Sequence, residues 1–344
     1  MKKQTLCVIF GGKSSEYEVS LASVYSVLSH IDREKYELVR LGITKDGEWY
    51  IFEGEDGEIL NDTWHRGSVV PVAIDMSTGN LLALDRGIYA IHIDIFLPLL
   101  HGEYGEDGRV QGLLDTVGAR YIGCDSFSSH LCMDKGLTKK IARELGIAVA
   151  EARVVRRGQD CRGILDKLTY PVFIKPCMAG SSVGACKADN REMAEQGIER
   201  AFKYCSCALI EEYIRGREIE LAVMEKDGGL IVTRAGEIGY RGEFYDYDTK
   251  YRSKDVEYII PAKIDEKTEK YLRECAKKLF YSLGCRDLCR VDFFLTDGGE
   301  VIFNEVNTMP GFTESSMFPM LMRDMGYSMG EIIDSLVKNA IVKF

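Results

Sequence analysis

The segment Arg290–Gly311, RVDFFLTDGGEVIFNEVNTMPG, sets two carboxylates, an arginine and two amides into runs otherwise built of Val, Ile, Leu and Phe. Gly298-Gly299 suits a two-residue hairpin loop. That loop pairs Asp297 with Glu300, and the ladder then sets Asp292 opposite Glu305, Arg290 opposite Asn307 and Phe294 opposite Phe303. Side chains alternate along a strand, so the six residues of the last three pairs share one face. Val291, Phe293, Leu295, Ile302 and Val306 form the core face, with Asn304 its one polar member. Directly opposed carboxylates repel, so something positive belongs between them. Asp292, Glu305 and Asn307 offer the oxygen-only ligands that suit Mg²⁺, or Mn²⁺, with water and phosphate completing the shell. A one-residue slip in register would remove this reading.

Other stretches carry what an anionic nucleotide needs. PVFIKPCMAGSSVGACK puts Lys175 at a strand end, followed by a loop containing Gly180, Ser181 and Gly184. Small residues let backbone N–H groups close around phosphate oxygens, although the same composition also makes an ordinary β-turn. It is not a Walker A loop, because no Gly-Lys-Ser/Thr opens a following helix. Lys135 and Lys250 supply further positive charge, or serve as plain surface lysines. In LIEEYIRGREIE, Glu218 suits ribose hydroxyls, and the strand edge before it, Glu211, Glu212 and Ile214, suits the main-chain recognition of an adenine. Opposed acids, Gly/Ser loop and this edge together fit a nucleotide–Mg²⁺ site better than any one of them does.

These groups need a scaffold. With 344 residues, 46% of them hydrophobic, the chain can bury a large core divided among two or three domains. A net charge of −10 argues against a nucleic-acid partner. MKKQTLCVIFGG is too short for a signal-peptide core and no apolar run of membrane length occurs, so a cytoplasmic protein is expected. Eleven cysteines without C-x-x-C pairs read as small, reduced, buried side chains.

A strand at Leu6–Phe10 precedes a helix whose Ser15 and Glu18 form a capping box and whose inner stripe is Leu21, Val24, Tyr25 and Leu28. A strand at Ile91–Pro98 leads into LLHGEYGEDG. A helix from Asp134 ends at Gly146, strands follow at 171–175, 208–213 and 218–224, and a helix near 271–283 precedes the hairpin. Ser328 and Glu331 cap the last helix. The alternation predicts an α/β fold with a parallel sheet, divided into residues 1–120, 121–210 and 211–344.

Six ordered motifs resemble the ATP-grasp superfamily, and within it the D-alanine–D-alanine ligases: FGGKSSEYEVSL, LHGEYGEDGRVQG, MDKGLTK, IKPCMAGSSVG, EFYDYDTKY and FNEVNTMPGFT. The resemblance implies a three-domain ATP-grasp architecture that begins with a Rossmann-like, pre-ATP-grasp parallel sheet. It implies ATP, with Mg²⁺ on Asp292, Glu305 and Asn307, and phosphate charge met by Lys135, Lys175 and Lys250. It implies an acylphosphate made from the first D-alanine and attacked by the amine of the second. Arg290 and the N–H of Gly311 would hold the oxyanion. Glu16, with His101 nearby, would meet the first ammonium, and Glu16, Ser181 and Tyr251 would pin a loop over the site. Tyr245 of that loop, with Ser316 and Met317, resembles the D-Ala–D-Ala enzymes; relatives that use D-serine read FFDY and SRYP at these places. GEWY and GCDSFSSHLCMDK, however, resemble the serine-type group. The resemblance also implies a homodimer and leaves open a D-Ala–D-Ser ligase, or another ATP-grasp carboxylate–amine ligase.

Overall fold

A computed structural model describes residues 3–240 and 256–342. Three sheets organise them. In the first, strand Gln4–Gly11 lies parallel to Tyr36–Ile43 on one side and Ile95–Pro98 on the other. Antiparallel strands 49–52, 69–74, 81–84 and 88–91 extend it. Leu6, Val8 and Phe10 face one core with Val24 and Leu28, while Cys7 and Ile9 face another with Leu41 and Leu114. Burial on both faces explains why LCVIF is a continuous apolar run. The expected strand Ile91–Pro98 is two elements, Ile88–Ile91 and Ile95–Pro98, in different parts of this sheet.

The second sheet has four antiparallel strands, 186–188, 172–176, 207–212 and 152–156 in that order, with Ala194 and Ile198 of helix Arg191–Ala201 packed on it. The third centres on Leu288–Thr296, between Gly216–Lys226 and Val301–Asn307. Val291, Phe293 and Leu295 turn toward Leu272, Ala276 and Leu279 of helix Glu266–Ser282. Each buried side chain of this kind contributes about 1.5–3 kcal/mol.

Two capping signals fare differently. Ser328 and Glu331 bond reciprocally, Ser328 N to Oε2 at 2.9 Å and Glu331 N to Oγ at 3.3 Å. The box expected at Ser15 and Glu18 does not form. The helix begins at Tyr17, Glu16 occupies the N-cap without a side-chain cap bond, and Glu18 pairs with Lys45. Tyr25, expected on the inner stripe, is exposed. All eleven cysteines are free. Among the described residues, no helix is long and apolar enough to cross a membrane.

The hairpin departs from the expected ladder twice. Its loop is Asp297–Gly299, with Gly299 in the left-handed region and Thr296 bonded to Glu300. This three-residue type supplies its positive φ through glycine. Phe293 then pairs with Phe303, not Phe294, so Phe303 lies in the core. A bulge at Asn304 adds one residue and restores the register, so Asp292 still faces Glu305 and Arg290 still faces Asn307. The two departures cancel where the acids are.

Candidate active site

A cavity of about 690 Å³ opens among the three sheets. Glu16, His101, Lys135, Lys175, Ser181, Glu211, Glu212, Ile214, Glu218, Arg290, Asp292, Glu305, Asn307 and Gly311 all line it. Ser316 and Met317 do not. Met317 is buried in the core at the start of helix Met317–Asp324, and Ser316 Oγ accepts from Thr313 N at 3.2 Å, bracing the loop after Gly311. Tyr245, Lys250 and Tyr251 lie outside the described residues.

Across three adjacent strands, Glu220, Asp292 and Glu305 stand in register. Arg290, two residues from Asp292 on the same face, answers this row. Its Nε donates to Asp292 Oδ1 at 2.8 Å and Nη2 to Oδ2 at 2.7 Å, and Nε lies 2.9 Å from Glu220 Oε2. Burial works against the guanidinium charge, yet Asp292 and Glu220 hold its pKa well above the usual value. Asn307 Nδ2 donates to Asp292 Oδ2 at 2.9 Å. Lys135, first residue of the helix Lys135–Glu144 capped by Asp134, reaches Glu305 Oε2 at 3.1 Å and the carbonyl of Ala179 at 2.7 Å. Burial opposes it, but Lys135 and Lys175 draw the Glu305 carboxyl down to about 2.

Two carboxylates and an amide on one face are a donor set of oxygens, which fits Mg²⁺ with its remaining positions filled by water and phosphate. Among the described residues no group of three His, Cys, Asp or Glu side chains is poised for a metal, so protein ligands alone do not build the shell.

The Gly/Ser loop follows strand Val172–Pro176. Ser181 and Ser182 both adopt positive φ, at 47° and 56°, a conformation L-residues rarely hold, and the loop is closed by bonds from Val183 N to the Gly180 carbonyl and from Ala185 N to the Ser182 carbonyl, both at 3.1 Å. Gly180 abuts Glu16: a Cβ there would fall 2.4 Å from Glu16 Oε1. Glu16 is 6% exposed, and this oxygen has no hydrogen-bond partner among the described residues. A buried carboxylate oxygen left open to a cavity asks for a cationic ligand.

His101 sits behind the site. Its Nε2 lies 2.9 Å from Ser23 Oγ and its Nδ1 2.9 Å from the Met309 carbonyl, while Phe312 N donates to Ser23 at 3.2 Å. The histidine and serine therefore fix the turn that presents Gly311.

Four participants escaped the sequence reading. Glu106, in the HGEYGEDG loop, lies 3.9 Å from His101, and burial followed by the nearby Glu16 pushes its pKa up to about 8. Glu220 follows Glu218 at the strand's period of two, a signal that was available. Asn304 turns into the cavity and accepts from Lys175 at 3.1 Å. Lys139, one turn beyond Lys135, pairs with Glu211.

Opposed acids, three cations and an unmatched carboxylate thus share one cavity. Residues 5–124 match the family described as D-ala D-ala ligase N-terminus, and residues 141–338 match D-ala D-ala ligase C-terminus. The chain belongs to the D-Ala–D-Ala ligase family. D-alanine–D-alanine ligase B of Clostridium tetani is 40% identical, over 99% of this chain and 94% of its own. The solved VanG D-Ala:D-Ser ligase of Enterococcus faecalis is also 40% identical, with a TM-score of 0.90, covering 98% of this chain and 100% of that one. A D-alanine–D-alanine ligase of Bacillus anthracis, solved in complex with ATP, is 26% identical with a TM-score of 0.74, covering 99% and 98% of the two chains. Within the ligase family, the cavity just described is where this chain's charged residues converge.

Proposed function

We propose that this protein joins two D-alanines at the expense of ATP, through an acylphosphate. The observation that carries the reading is the unmatched Oε1 of Glu16, in the same cavity as Lys135, Lys175, Arg290 and the paired acids. Free carboxylates resist amines because oxide is a poor leaving group, whereas phosphate leaves readily. The γ-phosphoryl group passes to the carboxylate of the first D-alanine, the second amine attacks that carbon, and phosphate departs.

Glu16 takes the ammonium of the first D-alanine. Lys135, Lys175 and the N–H groups of the 180–184 loop receive phosphate oxygens, with Lys250 added from outside the described residues. The edge Glu211–Ile214 receives the adenine and Glu218 the ribose. Asp292, Glu305 and Asn307 would hold Mg²⁺, which supplies charge neutralisation for the phosphates. Arg290 and Gly311 N–H stabilise the oxyanion of the tetrahedral species, the charge that catalysis must meet most directly. Ser181, next to the Gly180 that abuts Glu16, would join Glu16 and Tyr251 in pinning the loop that carries Tyr245 over the substrates. The three sheets support domains at 1–120, 121–210 and 211–344, and a cytoplasmic homodimer accompanies this reading.

The likeness to the VanG enzyme favours a second reading, D-serine as the second substrate. One polar contact separates the two by about 1–3 kcal/mol. With ATP and Mg²⁺, D-alanine is expected to elicit phosphate release and L-alanine none; absence of any D-alanine-dependent release ends the ligase reading. D-serine offered against D-alanine then decides the second substrate by the dipeptide formed.

A further inference from the structure

Helix Lys135–Glu144 carries two buried lysines four residues apart, so both project from one face. Lys135 lines the cavity; Lys139 does not. Lys139, 4% exposed, directs Nζ to Glu211 Oε2 at 3.1 Å and to the Phe303 carbonyl at 3.4 Å. The other oxygen of Glu211 holds Lys175 at 2.6 Å, and Lys175 also donates to Asn304. Two cations thus flank one buried anion. Burial lowers the pKa of Lys139, so its placement behind the wall carries a cost.

The sum of charges gives the placement a purpose. Lys175 and Glu211 alone are a neutral pair, with nothing left over for a triphosphate. With Lys139 the group carries one net positive charge. A phosphate can then draw Lys175 off Glu211 without stranding a buried carboxylate, because Lys139 remains on the opposite oxygen.

We propose that Lys139 is a positioning residue: by holding Glu211 from behind, it releases Lys175 to grip the nucleotide's phosphates. This rests on the nucleotide reading above. Calorimetric titration of the full chain with ADP and with adenosine tests it, since only ADP carries phosphate. Lys139→Met is expected to weaken ADP binding about tenfold, because Lys175 is then held back by an otherwise unpaired Glu211, while adenosine changes by less than about twofold. In a Glu211→Gln background, adding Lys139→Met is expected to leave the ADP-to-adenosine ratio unchanged, because no carboxylate competes for Lys175. That background also removes the unbalanced buried charge, so the comparison stands if Lys139→Met alone fails to fold. Equal loss for both ligands, or an ADP-selective loss that persists in the Glu211→Gln background, overturns the proposal. A parent protein that binds neither ligand overturns the nucleotide reading instead.

Discussion

Lys135 Nζ and Glu305 Oε2 stand 3.1 Å apart, tying the first turn of a helix to the second strand of the hairpin Leu288–Asn307. Glu305 is drawn down to about 2 from the ordinary 4.5. A depressed carboxyl stabilises the fold fully above its unfolded value, and that contribution is lost as pH falls from about 4.5 toward 2. Between pH 5 and pH 3 the protein should lose more stability than Glu305→Gln, read by urea unfolding. Parallel losses would show that the pair adds nothing.

Glu106 runs the other way. Its carboxyl is raised to about 8, first by burial and then by Glu16, so the folded protein keeps a proton that the unfolded chain releases. Stability therefore declines from about pH 4.5 up to 8, and the deficit persists above it. Glu106→Gln should melt higher than the parent at pH 8 and gain little at pH 5. The amide oxygen can still accept from Gly102 N, the bond that Glu106 accepts at 3.1 Å.

Gly180 leaves no room for a side chain beside Glu16. Gly180→Ala should displace that carboxylate and cut turnover about a hundredfold, the scale of an ångström's misplacement. Steady-state kinetics with D-alanine varied at saturating ATP would show it, and a turnover equal to the parent's would show that this contact does not position Glu16.

Ser328→Ala removes the cap of the last helix, whose residues do not line the cavity. It should cost about 1 kcal/mol of stability. Phosphate release at 25 °C should be unchanged, since the helix Met329–Val342 contributes no group to the cavity.

Deleting Asn304 tests the hairpin itself. Without the bulge, Phe293 still pairs with Phe303 and the next position still sets Asp292 against Glu305. The chain should fold and lose the Lys175 anchor, seen as a raised KM for ATP.

Much of this was legible in the sequence because period and composition report burial directly. LCVIF announces a strand buried on both sides, and Leu272, Ala276 and Leu279 a helix with one inner stripe. The pairing of Asp292 with Glu305 was reached through a ladder wrong in two places. Adjacent Asn304 and Glu305 cannot share a face in a regular strand, and that adjacency was the overlooked sign of the bulge. Lys139 was invisible for another reason: its partner Glu211 lies 72 positions along the chain, and no local pattern announces such a pair. The Ser15 cap does not form because the helix starts at Tyr17, two residues past Ser15; Ser14 Oγ accepts from Glu16 N, and Glu18 turns to Lys45, a contact made only once the sheet is assembled.

Glu220, Asp292 and Glu305 sit directly opposite one another on neighbouring antiparallel strands, so the ladder holds their Cα atoms about 4.5–5.5 Å apart. That spacing is written by peptide hydrogen bonds, not by any side chain. Drift in the surrounding sequence therefore cannot retune it, and ancestors and descendants that keep the ladder inherit the same spacing of charges.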